Sequence, residues 1–357
     1  MTQHRLPAAI ALCLAVRTAT AAFEPTPLAL EVNAGTAPLA SKQLSQQLGF
    51  PVDCSFPRGG GINYSGESQP FAVAFKTFLE NANLTCQERG SRMGLAQGQP
   101  LRTIVIGDSV AVVIARANLY ASSSRGGAAA VTYSLDTYVV YDPALQFAGT
   151  GQRVAIDSIE TDGGRATPAE NNGFDPFGLY QSLAAWPGAQ ATRITFSTPT
   201  PVKRLTKLSA RVRAWQVAEA AAVELPLEEF ANGKSSEGNS LTVTANVTAV
   251  AGNMSPPTVS ITLTGPAADR YRSGQWTQAL QKCVRLLDKD GRSLIDPNSY
   301  ANLSTANKSV TITFRSNGSN NGNVFEDLAT IKVSLPTKVR SVDVPIEITD
   351  LDLPGTD

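Results

Sequence analysis

One stretch of the chain carries residue types in an order that hydrolytic chemistry could use. In TIVIGDSVA, residues 103–111, a hydrophobic run enters Gly107-Asp108-Ser109. A serine hydroxyl at the end of a strand can act as a nucleophile if a base within hydrogen-bond reach takes its proton. No such base is evident. The one histidine of the chain is His4, inside a leader-like segment, and no S-x-x-K pattern begins at Ser109. The next residues, VAVVIARANLY, make a β-rich run rather than a helix start. Gly-Asp between apolar runs predicts a hairpin: strand 102–106, a two-residue II′ turn, then a strand from Ser109 to Asn118. Ser109 is therefore expected to be a turn residue, and no catalytic residue is assigned.

The same block resembles the first motif of the SGNH esterases, in which the serine is the nucleophile. That resemblance implies a histidine base, which the exported chain would lack. The missing histidine also excludes His-based zinc, haem and copper sites and acid–base work by an imidazole. No cofactor or metal is expected. Asp288-Lys289-Asp290-Gly291 opens like a calcium loop, but position 12 counted from Asp288 is Ser299, where a bidentate glutamate is needed. A hairpin with an Asp-Gly turn explains it better, as it does IETDGGR at 159–165. A carboxylate-based hydrolase is the remotest reading, because no spacing singles out two of the 30 acidic residues.

Two further sets of residues are candidates for a role. Cys54 and Cys86 each come after a helical pattern on a predicted strand, and export would favour a bridge between them. A disulfide needs Cα atoms about 4.4–6.8 Å apart, so two buried free thiols are the alternative. Cys283 would then be the odd one out. Trp186 in AAWPG and Trp276 in GQWTQ fall in predicted loops and are candidate ligand-contact aromatics, whereas Trp215 sits in a strand pattern.

The elements that would position these residues can be read from composition and periodicity. The 357 residues are 42% hydrophobic and 17% charged, with 30 basic and 30 acidic side chains. A packed core is feasible, and no bulk field recruits nucleic acid. His4 and Arg5, the apolar run Leu6–Val16 and the small residues ending at Ala22 read as a signal peptide over 1–22. No later run approaches the ~20 apolar residues of a membrane helix, so the mature chain is expected to carry no transmembrane segment and to be periplasmic or secreted.

From Leu28 to Gly98 the order reads β-α-β-β-α-β-β, with helices over 37–48 and 71–84. This order, with LSQQLGFPVDC answered by FKTFLENANLTCQERG, resembles the STN module found near the N-termini of secretins and TonB-dependent transducers. The resemblance covers Pro27 to about Gly98, within a module bounded at residues 23–98, and implies a protein-contact domain without catalytic residues.

Beyond Leu101 short alternating strands and polar turns predict two β-sandwich domains of immunoglobulin or fibronectin type, over 101–230 and 234–353. One large sandwich is the alternative. A weak repeat relates KLSARVRAW…AAVELPLEEF to DLATIKVSL…RSVDVPIEIT. The two copies are expected to close the two sandwiches.

The fold class is thus mainly β with a small α+β N-terminal module. The expected function is that of an exported, non-catalytic envelope protein that binds another envelope protein. A carbohydrate-binding module using loop aromatics, with polysaccharide as partner, is the alternative.

Overall fold

A computed structural model describes residues 25–50, 52–57, 60–89, 92–122, 130–145, 147–168, 188–226, 235–238, 241–248, 258–272, 280, 283–289, 294, 301–306, 308–315 and 325–354. The fold is mainly β.

The N-terminal module runs β1 (Pro27–Leu28), β2 (Glu31–Ala34), α1 (Ala37–Leu48), β3 (Val52–Ser55), β4 (Ile62–Ser65), β5 (Gln69–Pro70), α2 (Phe71–Asn81), β6 (Leu84–Arg89) and β7 (Arg92–Gln97). Apart from the short β1–β5 pair, this is the strand and helix order that the periodicity predicts. In α1 the i, i+4 series Ala40, Leu44 and Leu48 is buried. That helix stops at Gly49, whose φ of 75° lets its N–H return to Ser45 O. In α2, Phe71, Phe75, Phe78 and Leu79 turn inward. β2 pairs antiparallel with β4, while β7 pairs parallel with β3 and antiparallel with β6.

The middle of the chain supplies β8 (Arg102–Ile106), β9 (Val110–Ser122), β10 (Ala130–Tyr141), β11 (Phe147–Thr161), β12 (Gly164–Arg165), β13 (Thr167–Pro168), β14 (Ala189–Thr198) and β15 (Arg204–Pro226). The last part supplies β16 (Ser235–Gly238), β17 (Leu241–Thr248), β18 (Thr258–Thr264), β19 (Val284–Leu287), β20 (Ala301–Ala306), β21 (Ser309–Arg315) and β22 (Thr330–Asp352). One large sheet has the order β19-β22-β15-β11-β14-β10-β9-β8, and a second has the order β16-β17-β18-β21-β20. The far edge of the large sheet comes back towards β22: Arg102 Nη2 of β8 donates to Asp350 O at 3.0 Å.

Three cores result. The first joins the helices of the N-terminal module to Ala111, Val113, Tyr138 and Val140 of β9 and β10. The second lies on the other side of those strands, where Val110, Val112, Ile114 and Leu135 meet β15 and β22. The unbroken apolar run VAVVI, 110–114, is thereby explained, since both faces of its strand are buried. The third core packs β17, β18 and β21 against β19 and parts of β15 and β22.

The sequence repeat takes a form that periodicity alone does not show. Its two copies are β15 and β22, each 23 residues long, and they pair with each other from Arg204↔Asp352 to Pro226↔Thr330. The first half of each copy lies beside the second half of the other. Ala210, Val212, Val344 and Ile346 fill the second core, while Val223, Leu225, Ile331 and Val333 fill the third. Periodicity breaks each copy into two short strands, but 208–215 runs on unbroken into 221–226, and 330–336 into 341–348. Register shifts at Val217/Glu219 and Glu219/Ala220 insert Ala218 and Thr337 as extra residues. An extra residue changes which positions face inward, so inward residues pass from even to odd numbers along β15 without a break in the strand.

Candidate functional site

Gly107-Asp108-Ser109 forms the turn of the β8–β9 hairpin, with Ile106 paired to Val110. The loop has three residues rather than two, and φ is positive at both Gly107 (55°) and Asp108 (60°), which differs from the expected II′ pattern. Asp108 O accepts from Ala72 N–H at 3.0 Å, satisfying one of the unpaired donors in the first turn of α2. Ser109 O accepts from Asp142 N–H at 2.8 Å. The Asp142 carboxylate is buried. Its Oδ2 accepts from Thr26 N–H at 2.7 Å, and its Oδ1 accepts from Thr26 Oγ1 at 3.1 Å and Ala144 N–H at 2.9 Å.

A second contact lies nearby. The Phe50 ring, between α1 and β3, rests against Gly188, where φ is 91° and a Cβ would collide with the ring. Gly188 O accepts from Tyr141 N–H at 2.8 Å, and burial raises the pKa of the Tyr141 phenol. The residues that looked like a nucleophile block therefore join the N-terminal module to the large sheet through main-chain groups.

Of the two readings of Cys54 and Cys86, a bridge or a pair of buried free thiols, the second holds. Cys54 on β3 and Cys86 on β6 are both opposite Leu95 on β7, one from each side. Two strand spacings put their Cα atoms on the order of 10 Å apart, beyond disulfide reach. Alternation along each strand is enough to suggest that both thiols point inward, but no local pattern says that a strand separates them. Burial pushes the Cys54 thiol up to about 11, against a hydrogen bond with Ser41, and raises Cys86 as well. Neither is an activated nucleophile. Cys283 packs half-buried against the third core.

The sheet edges differ in how they are closed. α1 seals two of them with side chains. Gln47 exchanges hydrogen bonds with both backbone groups of Glu31, and Gln43 does the same with Asn33. On β3, Ser45 Oγ accepts from Val52 N–H at 2.9 Å, and Ser41 Oγ accepts from Cys54 N–H at 2.8 Å. β19 is covered where Leu286 O accepts from Leu294 N–H. β4 is only four residues long, β16 carries Glu237, and β6 ends in Glu88-Arg89. Residues 302–306 of β20, Asn-Leu-Ser-Thr-Ala, have no charge and no proline, and among the described residues they pair only with β21. Sequence reasoning missed β20, because Leu303 is its one large apolar residue.

Two outward sheet faces also differ. The β11–β15–β22 face carries ion pairs between facing residues: Arg204–Asp352, Arg213–Asp343, Lys338–Glu219 and Lys332–Glu224. Arg211 forks onto Asp157 at 2.8 and 3.1 Å and reaches Asp343 at 3.6 Å, which raises its pKa further. The middle of the five-stranded sheet shows hydroxyls and amides instead, with Glu237 and Arg315 at its margins. One row across four strands is Thr244–Thr262–Thr311–Ser304, and the next is Asn246–Ser260–Thr313–Asn302. Thr262 and Thr311 hydroxyls hydrogen-bond at 3.0 Å, and those of Ser260 and Thr313 at 3.1 Å.

Trp186, Trp276, Asp290 and the side chain of Trp215 lie outside the described residues. Asp162-Gly163 turns the short hairpin between β11 and β12, as IETDGGR predicts. No described helix is long and apolar enough to cross a membrane, and no three described His, Cys, Asp or Glu residues cluster as metal ligands. No protein-family model, curated protein or solved structure matches this chain.

Proposed function

We propose that this is an exported, non-catalytic envelope protein that binds another protein by adding a strand of its partner to the open edge of β20. An exposed strand edge is a row of unpaired N–H and C=O groups, and an incoming extended segment satisfies them as a new ladder. The observation that carries this reading is the contrast between edges. Those of β2 and β3 are occupied by side chains of α1, whereas 302–306 has no such covering among the described residues. Leu303 is only partly buried against the third core and Thr305 is exposed, which leaves room beside them for an apolar residue of the partner. The leader-like residues 1–22 support export. The element order of residues 23–98 supports an STN-like contact module, and the role of Ser109 as a turn residue supports the absence of hydrolysis.

The test is photocrosslinking from position 305 of the full chain in an envelope preparation. The expected result is one dominant crosslinked protein, lost when Leu303→Lys places a charge on the edge. No crosslinked protein, or the same protein captured equally from position 347 on the charged face, would remove this reading.

A further inference from the structure

We propose that the outward face of the five-stranded sheet is a second binding surface, one that takes an insoluble neutral polysaccharide. It is separate from the β20 edge and does not depend on a protein partner being found there.

The two outward sheet faces of the molecule are built on different rules. An open antiparallel sheet is normally kept soluble and unpaired by charges on its exposed face. The β15–β22 ribbon obeys that rule, with an oppositely charged partner facing each of Arg204, Arg213, Glu219 and Glu224. Across β17, β18, β21 and β20 two consecutive rows hold eight outward side chains, all of them Thr, Ser or Asn. The flanking rows carry one charged residue each: Glu237 beside Thr242, Thr264 and Ser309 on one side, and Arg315 beside Thr258 on the other. Strand-forming tendency favours threonine here, but it does not exclude lysine or glutamate from all eight places.

The pattern also specifies the ligand chemistry. Neighbouring strands lie about 4.8 Å apart, and alternate residues along a strand about 6.8 Å apart. The face is thus a periodic array of groups that both donate and accept hydrogen bonds, with threonine methyls between them. A single hydroxyl–hydroxyl bond formed in water adds little net free energy, so one sugar would bind weakly. Many such bonds to one rigid lattice add up, because after the first contact the rest form within one complex. A neutral, stiff polymer offering hydroxyls in repeat matches this face. A polyanion finds no cation in the two rows.

The experiment is retention of the full chain on microcrystalline cellulose, chitin and insoluble β-glucan at physiological salt, alongside partition into slowly growing ice. Three proteins are compared: wild type, Thr262→Val with Thr311→Val, and Lys332→Gln on the charged face. The valine pair keeps shape and strand preference while removing the two central hydroxyls, and thermal melts check that it folds. Retention of wild type and Lys332→Gln on at least one polysaccharide, at least tenfold weaker for the valine pair, is the expected result. Absence of retention on all three overturns the proposal, as does equal retention of the folded valine pair. Partition into ice without retention on polysaccharide overturns it in favour of a water lattice.

Discussion

Gln47 holds both backbone groups of Glu31: its Nε2 donates to Glu31 O at 2.6 Å, and its Oε1 accepts from Glu31 N–H at 2.8 Å. One helical turn earlier Gln43 repeats the arrangement on Asn33, at 3.2 and 3.1 Å. Residues i and i+4 of a helix rise about 6 Å, and residues i and i+2 of a strand about 6.8 Å, so two amides can serve as a side-chain strand. On its other flank α1 offers Ser41 and Ser45, also four apart, to β3. The helix thus bridges two small sheets.

Removing those amides should have a small thermodynamic effect and a larger colloidal one. Each Gln→Ala change at 43 or 47 forfeits exposed hydrogen bonds, about 1 kcal/mol in denaturant melts. The double variant leaves the edge of β2 open and should associate during size-exclusion chromatography at concentrations where the wild type is monodisperse. A double variant as monodisperse as its parent would show that the glutamines do not guard this edge.

Gly188 should tolerate no side chain. Alanine there must adopt a φ of 91° and displace the Phe50 ring, which together should cost about 2 kcal/mol or more in chemical denaturation. Coupling separates the two causes. In a Phe50→Ala background the collision disappears and only the backbone strain remains, so Gly188→Ala should cost measurably less there. Equal costs in both backgrounds would mean that the ring does not lean on this glycine.

Asp142 and Ser109 should respond in opposite ways, although they sit in one hydrogen-bonded chain. Asp142→Ala leaves the Thr26 and Ala144 donors without their acceptor at a part-buried point, with an expected loss of about 1–2 kcal/mol and faster proteolysis near residue 26. Ser109 contributes its carbonyl, which every residue has, so Ser109→Ala should keep the turn and the docking. A fluorophosphonate probe should label neither protein; labelling lost in Ser109→Ala would restore the nucleophile.

Much of the N-terminal module was legible because its signals are local. Helical spacing points to Leu39, Leu44 and Leu48 with Gly49 as the stop; Leu44 and Leu48 are buried, whereas Leu39 is 43% exposed and Ala40 takes its inward place. The inward alternation of Leu84 and Cys86 is also local. The relations that decide the architecture are distant. Nothing near Cys54 or Cys86 says that Leu95 will stand between them, and nothing near Gln47 says that it will bind a strand 16 residues back. The repeat was visible, but similarity between two segments does not say that they will pair with each other. Gly107-Asp108 signalled a hairpin correctly, yet the roles of its carbonyls depend on Ala72 and Asp142, which local pattern cannot supply.

Alkaline pH should weaken the fold through its buried thiols and phenol. Burial raises the folded-state pKa of Cys54 to about 11 from 9.0, and those of Cys86 and Tyr141 in the same direction. In that window the native state binds more protons than the unfolded chain, so stability is full below about pH 9 and falls as pH rises through 11. Denaturation midpoints measured from pH 8 to 11 should drop, and Cys54→Ala should flatten part of that drop. In the native protein at pH 8, iodoacetamide should leave Cys54 and Cys86 unmodified. A mass shift corresponding to a Cys54–Cys86 bridge would contradict the strand order β3-β7-β6.

The sharpest test of the shared ribbon is deletion of Ala218. That residue is the extra one on β15, and it lets the inward positions pass from Ala214 to Ala221. Without it every side chain from Glu219 onward changes face relative to β22, so Ala221, Val223 and Leu225 point outward while Glu224 points into the third core. The second core uses β15 only up to Ala214 and β22 only from Val344, and it keeps its register. The deletion should therefore turn unfolding into two steps, with the third core melting first and the first two cores persisting. Glu219→Ala, next in sequence and engaged only in the exposed pair with Lys338, should change stability by well under about 1 kcal/mol. If deletion of Ala218 were as mild as that substitution, the change of face at the bulge would not govern how the two units share their long strands.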